Sequence, residues 1–233
     1  MIPIGAALRS LAFYLAFYLG SFLLALASVP ASYMDRRRMV WLAEGWARWH
    51  RWCVVNLLGI RVVVQGEVPQ GRVLVAGKHE SFFEAIDLPN LLNRPVPFAK
   101  SELLDIPLWG KVGVAYGMVR VERSEGAKAL RAMMQSARAF GQEGRPLVIF
   151  PEGTRVPHGE CPPLRSGFAG IYKLLNLPVV PMSVDSGRFY HRWIKRKGTI
   201  TIHFGETIPA GLPREDIEER VRVAINALNR EAR

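Results

Sequence analysis

"RVLVAGKHESFFEAIDLPNLL", residues 72–92, holds the transition that decides the fold. Its first six residues are a short β-rich run. Its last twelve read as a helix, with Ser81 in the N-cap position and Glu84 three places on, as in a capping box. Between them His79 and Glu80 sit in a polar loop. Strand, loop and helix in this order form the repeating unit of α/β proteins, whose loops carry sites. Glu84 therefore reads two ways: as a capping acid, or as the carboxylate partner of His79. Asp87 is the reserve for the second role, since residues three apart share a helical face.

The same alternation extends outward. "RVVVQG" at 61–66 is another short strand. "EGAKALRAMMQSARAFGQEG" places Ala127, Leu130, Met134, Ala137 and Phe140 on one helical face. "PLVIFPEG" is an apolar strand breaking at Pro151, and "LPVVPMSVD" and "TITIHFG" are two more. A last helix over roughly 213–231 sets Ile217, Val221, Ile225 and Leu228 against a charged face. Apolar strands alternating with helices predict an α/β domain over residues 59–233, a mixed sheet flanked by helices.

Residues 1–58 differ in character. No charge occurs between Arg9 and Asp35, a run of twenty-five residues. As a helix it would measure about 38 Å, enough to span a hydrocarbon core. Arg36, Arg37 and Arg38 follow at once, which favours a retained anchor over a cleaved leader and keeps that end in the cytoplasm. The next segment interleaves Trp41, Trp46, Trp49 and Trp52 with Arg48 and Arg51, as in a helix lying at headgroup level. An ordinary amphipathic helix packed on the domain fits the same periodicity. The two segments form a helical hairpin that either spans the membrane or dips into one leaflet. The expected location is the inner membrane, with the α/β domain on its cytoplasmic face.

Composition narrows the partners. A hydrophobic content of 49% excludes disorder, and a formal charge of +11 calls for an anion. With an anchor present, anionic lipid or a phosphorylated substrate suits that charge better than nucleic acid. The basic run "HRWIKRKG", 191–198, reads as a grip on headgroups or as a solvated loop. Cys53 and Cys161 are too few for a disulfide framework. Each lies three residues after a histidine, but nothing else supplies zinc ligands at the required spacing, so no metal is expected.

Four polar clusters sit where strands end, and together they resemble the glycerolipid acyltransferases, specifically the 1-acylglycerol-3-phosphate acyltransferases. The first block of that family is a histidine, four residues and an acid; here it is "HESFFE". The second is matched by Lys100, Glu102, Leu103, Pro107, Gly110 and Arg123. The third, "FPEGTR", is unchanged at 150–155, and the fourth is an apolar strand with a central proline, Pro181. The resemblance covers about residues 60–185. It departs at Glu84, where the family's usual acid is aspartate, one methylene shorter.

The resemblance implies a membrane-bound enzyme moving a fatty acyl group from a thioester to the free hydroxyl of 1-acylglycerol-3-phosphate, giving phosphatidic acid. The thioester, acyl-CoA or acyl carrier protein, is a co-substrate, and no cofactor is implied. His79 and Glu84 would be catalytic. Lys100, Arg123, Glu152, Gly153, Thr154 and Arg155 would line the phosphate site, with Glu152 holding a glycerol hydroxyl or orienting Arg155. The chemistry suits these residue types. The acceptor hydroxyl must lose its proton as it attacks, and imidazole titrates near neutrality. A carboxylate on the far ring nitrogen fixes the tautomer. The substrate supplies the nucleophile, and the chain has no G-x-S-x-G elbow. Two other readings share the same sequence: an acyltransferase for another lysophospholipid or a lyso amino-acid lipid, and a non-catalytic lipid-binding module.

Overall fold

The computed structural model describes residues 4–121 and 126–231. It opens with two long helices, α1 (Ile4–Ser32) and α2 (Arg36–Asn56). Asp35 starts the second by accepting the Arg38 N–H at 2.9 Å. The helices approach closely because Gly20 faces Trp49: a Cβ there would lie 2.2 Å from the indole nitrogen. Trp46 Nε1 donates to Ser21 Oγ at 2.9 Å and Trp49 Nε1 to the Ala16 carbonyl at 3.3 Å.

The α/β part follows as β1 (Ile60–Gln65), β2 (Leu74–Gly77), α3 (Phe83–Leu91), β3 (Val96–Lys100), α4 (Ser101–Leu104), α5 (Trp109–Tyr116), β4 (Val119–Val121), α6 (Gly126–Gln142), β5 (Leu147–Ile149), α7 (Gly167–Leu175), β6 (Val179–Val184), β7 (Gly198–Phe204) and α8 (Arg214–Ile225). The seven strands form one sheet in the order β1-β7-β6-β2-β5-β3-β4. Strands β6, β2, β5, β3 and β4 run parallel to one another; β7 pairs antiparallel with β6, and β1 parallel with β7. The sheet is mixed, as the sequence predicts.

Period two divides the sheet between two cores. Val75, Val148, Val180 and Met182 face α1, α2 and α3, where Phe13, Phe17, Cys53, Val54 and Phe83 are buried. Leu74, Ala76, Leu147, Ile149 and Val179 face the other way, against Met134 and Ala137 of α6, Phe168 and Tyr172 of α7 and Ile217 and Val221 of α8. Of the face predicted for α6, Ala127 and Leu130 fall among side chains outside the described residues. The last helix is shorter than predicted; Leu228 lies in a separate 3-10 turn, Ala227–Glu231.

The N-terminal helices share the first core with the sheet. The other side of α1 is bare: Leu8, Leu11, Leu15, Leu19, Phe22 and Leu26 are exposed at helical spacing. The basic run joins that edge, since Tyr14 donates to the Trp193 carbonyl at 2.7 Å and the Lys195 N–H to Ser10 Oγ at 2.9 Å. Trp193 is 84% exposed. Lys195 turns inward instead, its ammonium 2.7 Å from the Tyr190 carbonyl and 3.8 Å from that ring's centre.

Candidate active site

Parallel strands end at the same edge, so the loops after β2, β5 and β6 meet there, the usual place for a site in an open α/β sheet. Register makes this concrete. Leu74 pairs with Leu147 and with Val179, so Ile149 lies level with Ala76 and Met182 with Gly77, and β6 runs two residues further to Val184.

His79 occupies the first loop with its Nδ1 2.8 Å from Glu84 Oε1. Its ring stacks on Phe150 at 4.4 Å between centroids, and its side chain remains 18% exposed. Nδ1 is therefore the nitrogen held by the protein, and Nε2 is the one left for a substrate. Glu84 is fully buried at the start of α3. Its Oε1 also accepts the Glu80 and Ser81 N–H groups at 2.6 and 2.7 Å, and its Oε2 accepts Ser81 Oγ at 3.0 Å and Ser186 Oγ at 2.6 Å. Burial by itself would raise its carboxyl. The hydrogen bonds from His79, Ser186 and Ser81, with the His79 charge, outweigh that and hold it below the ordinary value. Glu84 thus fills both roles open in the sequence: it satisfies the free N–H groups at the helix entry and it holds the imidazole. Asp87, the reserve, pairs with Arg51 of α2 and with Asn90, away from His79.

The β5 loop carries Glu152, Gly153, Thr154 and Arg155. Glu152 turns into the protein: Oε1 lies 2.7 Å from Lys78 Nζ and Oε2 accepts the His79 N–H at 3.3 Å. Lys78, also fully buried, spends its other bonds on the Glu160 carbonyl and Asn226 Oδ1, both at 2.8 Å. A carboxylate facing an anionic substrate would repel it; this pairing removes that conflict and pins the loop beneath His79. Gly153 takes a positive φ of 67°, which turns the chain outward. Thr154 and Arg155 are exposed. The Arg155 guanidinium lies 4.0 Å from the centre of the Phe82 ring, which holds it without consuming its N–H donors. Lys100 is exposed at the end of β3, on the same edge of the sheet. Arg123 lies outside the described residues.

Sequence reasoning missed Lys78, Ser186 and Phe82. The first two act across the sheet, 74 and 102 positions from their partners. Of the two histidine–cysteine spacings set aside as zinc ligands, His158 faces Glu80 and Cys161 faces Arg222. His50 faces Tyr190.

Behind α3 an apolar cavity of about 130 Å³ opens between the N-terminal helices and α5, lined by Leu24, Leu42, Trp46, Ile86, Val112 and Tyr116 among others.

The α/β sheet thus presents, at its carboxyl edge, a histidine held by a buried carboxylate, the arrangement of a candidate acid–base site. Residues 59–185 match the family model described as Acyltransferase, and the chain belongs to that family. It is 27% identical over 210 residues to a 1-acyl-sn-glycerol-3-phosphate acyltransferase of Pseudomonas aeruginosa, covering 88% of this chain and 82% of that one. It is 31% identical over 151 residues to an enzyme of the same name from Limnanthes alba, covering 64% of this chain and 52% of that one. The 1-acyl-sn-glycerophosphate (LPA) acyltransferase PlsC from Thermotoga maritima shares its fold, with a TM-score of 0.76 over 98% of both chains at 20% identity.

Proposed function

We propose that this protein transfers a fatty acyl chain from a thioester, acyl-CoA or acyl carrier protein, to the free hydroxyl of 1-acylglycerol-3-phosphate at a membrane surface, giving phosphatidic acid. The observation that carries the reading is the His79–Glu84 pair, whose 2.8 Å contact leaves the opposite ring nitrogen for a substrate hydroxyl. The names of the relatives supply the acceptor, and the exposed Arg155 suits its phosphate.

In this mechanism His79 Nε2 takes the hydroxyl proton as the oxygen attacks the thioester carbonyl. Glu84 stabilises the resulting imidazolium. The tetrahedral intermediate collapses, the carbon–sulfur bond breaks and the imidazolium returns its proton to the thiolate. Lys100 and Arg155, with Arg123 from the sequence, form the phosphate grip. The apolar cavity suits part of an acyl chain. The bare face of α1, with exposed Trp41, Trp52 and Trp193 and the cations Arg192, Arg196 and Lys197, suits insertion into one leaflet beside anionic headgroups. A helix packed along the domain at Ser10, Phe13 and Phe17 fits that placement better than a span. Arg36–Arg38 suit the cytoplasmic face of the inner membrane.

The test pairs purified protein with several lysolipids and both donors. Acyl transfer to 1-acylglycerol-3-phosphate that His79→Ala lowers by at least ~10²-fold is expected. Arg155→Ala should raise the acceptor KM by about 10- to 100-fold. Transfer confined to another lysolipid, or none with any pair, rules the reading out.

A further inference from the structure

A second histidine–carboxylate pair stands beside the first, and the mechanism does not use it. His158 Nδ1 lies 2.9 Å from Glu80 Oε1. Glu80 Oε2 accepts the Gly187 N–H at 2.8 Å. Three loops meet on this one carboxyl. Glu80 directly follows the base; His158 comes three residues after Arg155; Gly187 follows Ser186, which bonds Glu84. The fit at the third loop is close, for a Cβ on Gly187 would lie 2.9 Å from Glu80 Oε2 and 3.4 Å from His158 Cβ. Backbone contact between the first two loops includes the Val156 N–H donating to the His79 carbonyl at 2.7 Å.

We propose that Glu80 and His158 are positioning residues that clamp the Arg155 loop to the His79 loop and so set the separation between phosphate grip and base. This rests on the function proposed above. Glu152 and the Val156 N–H fix the loop before and just after Arg155; among the described residues Arg155 itself rests on the face of exposed Phe82, and His158 adds the side-chain anchor on the far side of the loop. The charged groups facing the pair are Glu84, Asp185, Lys78 and Arg188. Burial pushes the Glu80 carboxyl up to about 8, with Glu84 and Asp185 adding to the rise against Gly187 and Lys78. Burial, then Arg188, holds His158 below its ordinary value. The pair is neutral near pH 7 and gains a buried negative charge as Glu80 ionises, beside two carboxylates that repel it.

The experiment measures kcat, both KM values and Tm for the full chain with 1-acylglycerol-3-phosphate, in the variants Glu80→Ala, His158→Ala, Glu80→Gln and the Ala double. Each single alanine variant should raise the acceptor KM about 10- to 100-fold, the scale of a small misplacement, while leaving the donor KM unchanged. The double should be no worse than either single, since one contact is lost in each. Glu80→Gln should recover most of the activity, because an amide can donate to His158 Nδ1 and accept the Gly187 N–H. Wild-type acceptor KM should rise as pH passes about 8, and that rise should be absent in Glu80→Gln. Wild-type acceptor saturation in both alanine variants, with His79→Ala inactive, overturns the clamp and leaves the function intact; an active His79→Ala removes the function instead. Where the alanine variants fail to fold, a Glu80→Gln protein that keeps the wild-type pH rise overturns the clamp.

Discussion

Glu84 shows how one extra methylene is accommodated. Its longer arm reaches two serine hydroxyls as well as His79 and the two N–H groups of the helix entry. All five groups donate, so a full carboxylate is required. Glu84→Gln puts an NH₂ where two donors point and should lower kcat by about 10²- to 10⁴-fold. Glu84→Asp keeps the charge but shortens the reach to Ser186, so its loss should be smaller, as side-by-side kcat measurements would show. Equal losses would mean that length, not charge, governs the site. Glu80 predicts a pH effect on stability. Its folded value, about 8, lies above the ordinary carboxylate value, so the native state binds more protons between the two. Its contribution is present at low pH and is lost as pH rises toward 8. Denaturant unfolding across that window should show wild type losing stability that Glu80→Gln does not lose; parallel curves would refute it.

At the scale of elements, the segment from Lys100 to Gly110 is a tight packing device. After α4 the chain turns at Leu108, whose φ of 64° and ψ of −54° accompany a Trp109 N–H to Pro107 carbonyl bond of 2.7 Å. That γ-turn brings α5 back over the end of α4. A Cβ on Gly110 would lie 1.9 Å from the Leu104 carbonyl, a backbone atom that cannot swing aside. Gly110→Ala should therefore cost at least ~1–3 kcal/mol, with Tm lowered by several degrees in a thermal melt. Unchanged Tm would show that the two short helices are free to separate. Pro107 and Gly110, matched in sequence through a resemblance, thus acquire a physical reason: they set the turn after β3, the strand that ends in Lys100.

For the whole molecule, the N-terminal helices cover a core and leave one apolar face exposed, the face proposed for the membrane. Phe13 and Phe17 are buried with Phe83 and Tyr190, so removing residues 1–58 would uncover a core. Such a truncation should aggregate, which makes it a poor probe of membrane binding. Changing Leu8, Leu15 and Phe22 together to Ser leaves the buried stripe intact and removes apolar area only from the bare face. That variant should keep its Tm, lose flotation with liposomes containing anionic lipid, and keep activity on acceptor dispersed in detergent. Undiminished flotation would shift the membrane contact away from α1.

Much of this was legible in the chain because it is local. The unbroken apolar run "PLVIF" and the alternation of "TITIHF" define strands, the first buried on both faces and the second repeating every two residues. The four-residue gap from His79 to Glu84 spans one helix entry, so the pair could be seen without knowing the sheet. Glu84 could not be assigned to one role from sequence because a capping acid and an orienting acid occupy the same position, and only the folded loop shows one carboxylate doing both. The rest required strand order. Lys78 finds Glu152, Glu80 finds His158 and Ser186 finds Glu84 because β2 lies between β5 and β6. Contacts across neighbouring parallel strands join residues far apart in the chain, and no local spacing encodes them. Nor could periodicity show which side of α1 is packed, because its residues are apolar all round. The sheet, by burying Phe13 and Phe17, decides which face is left exposed.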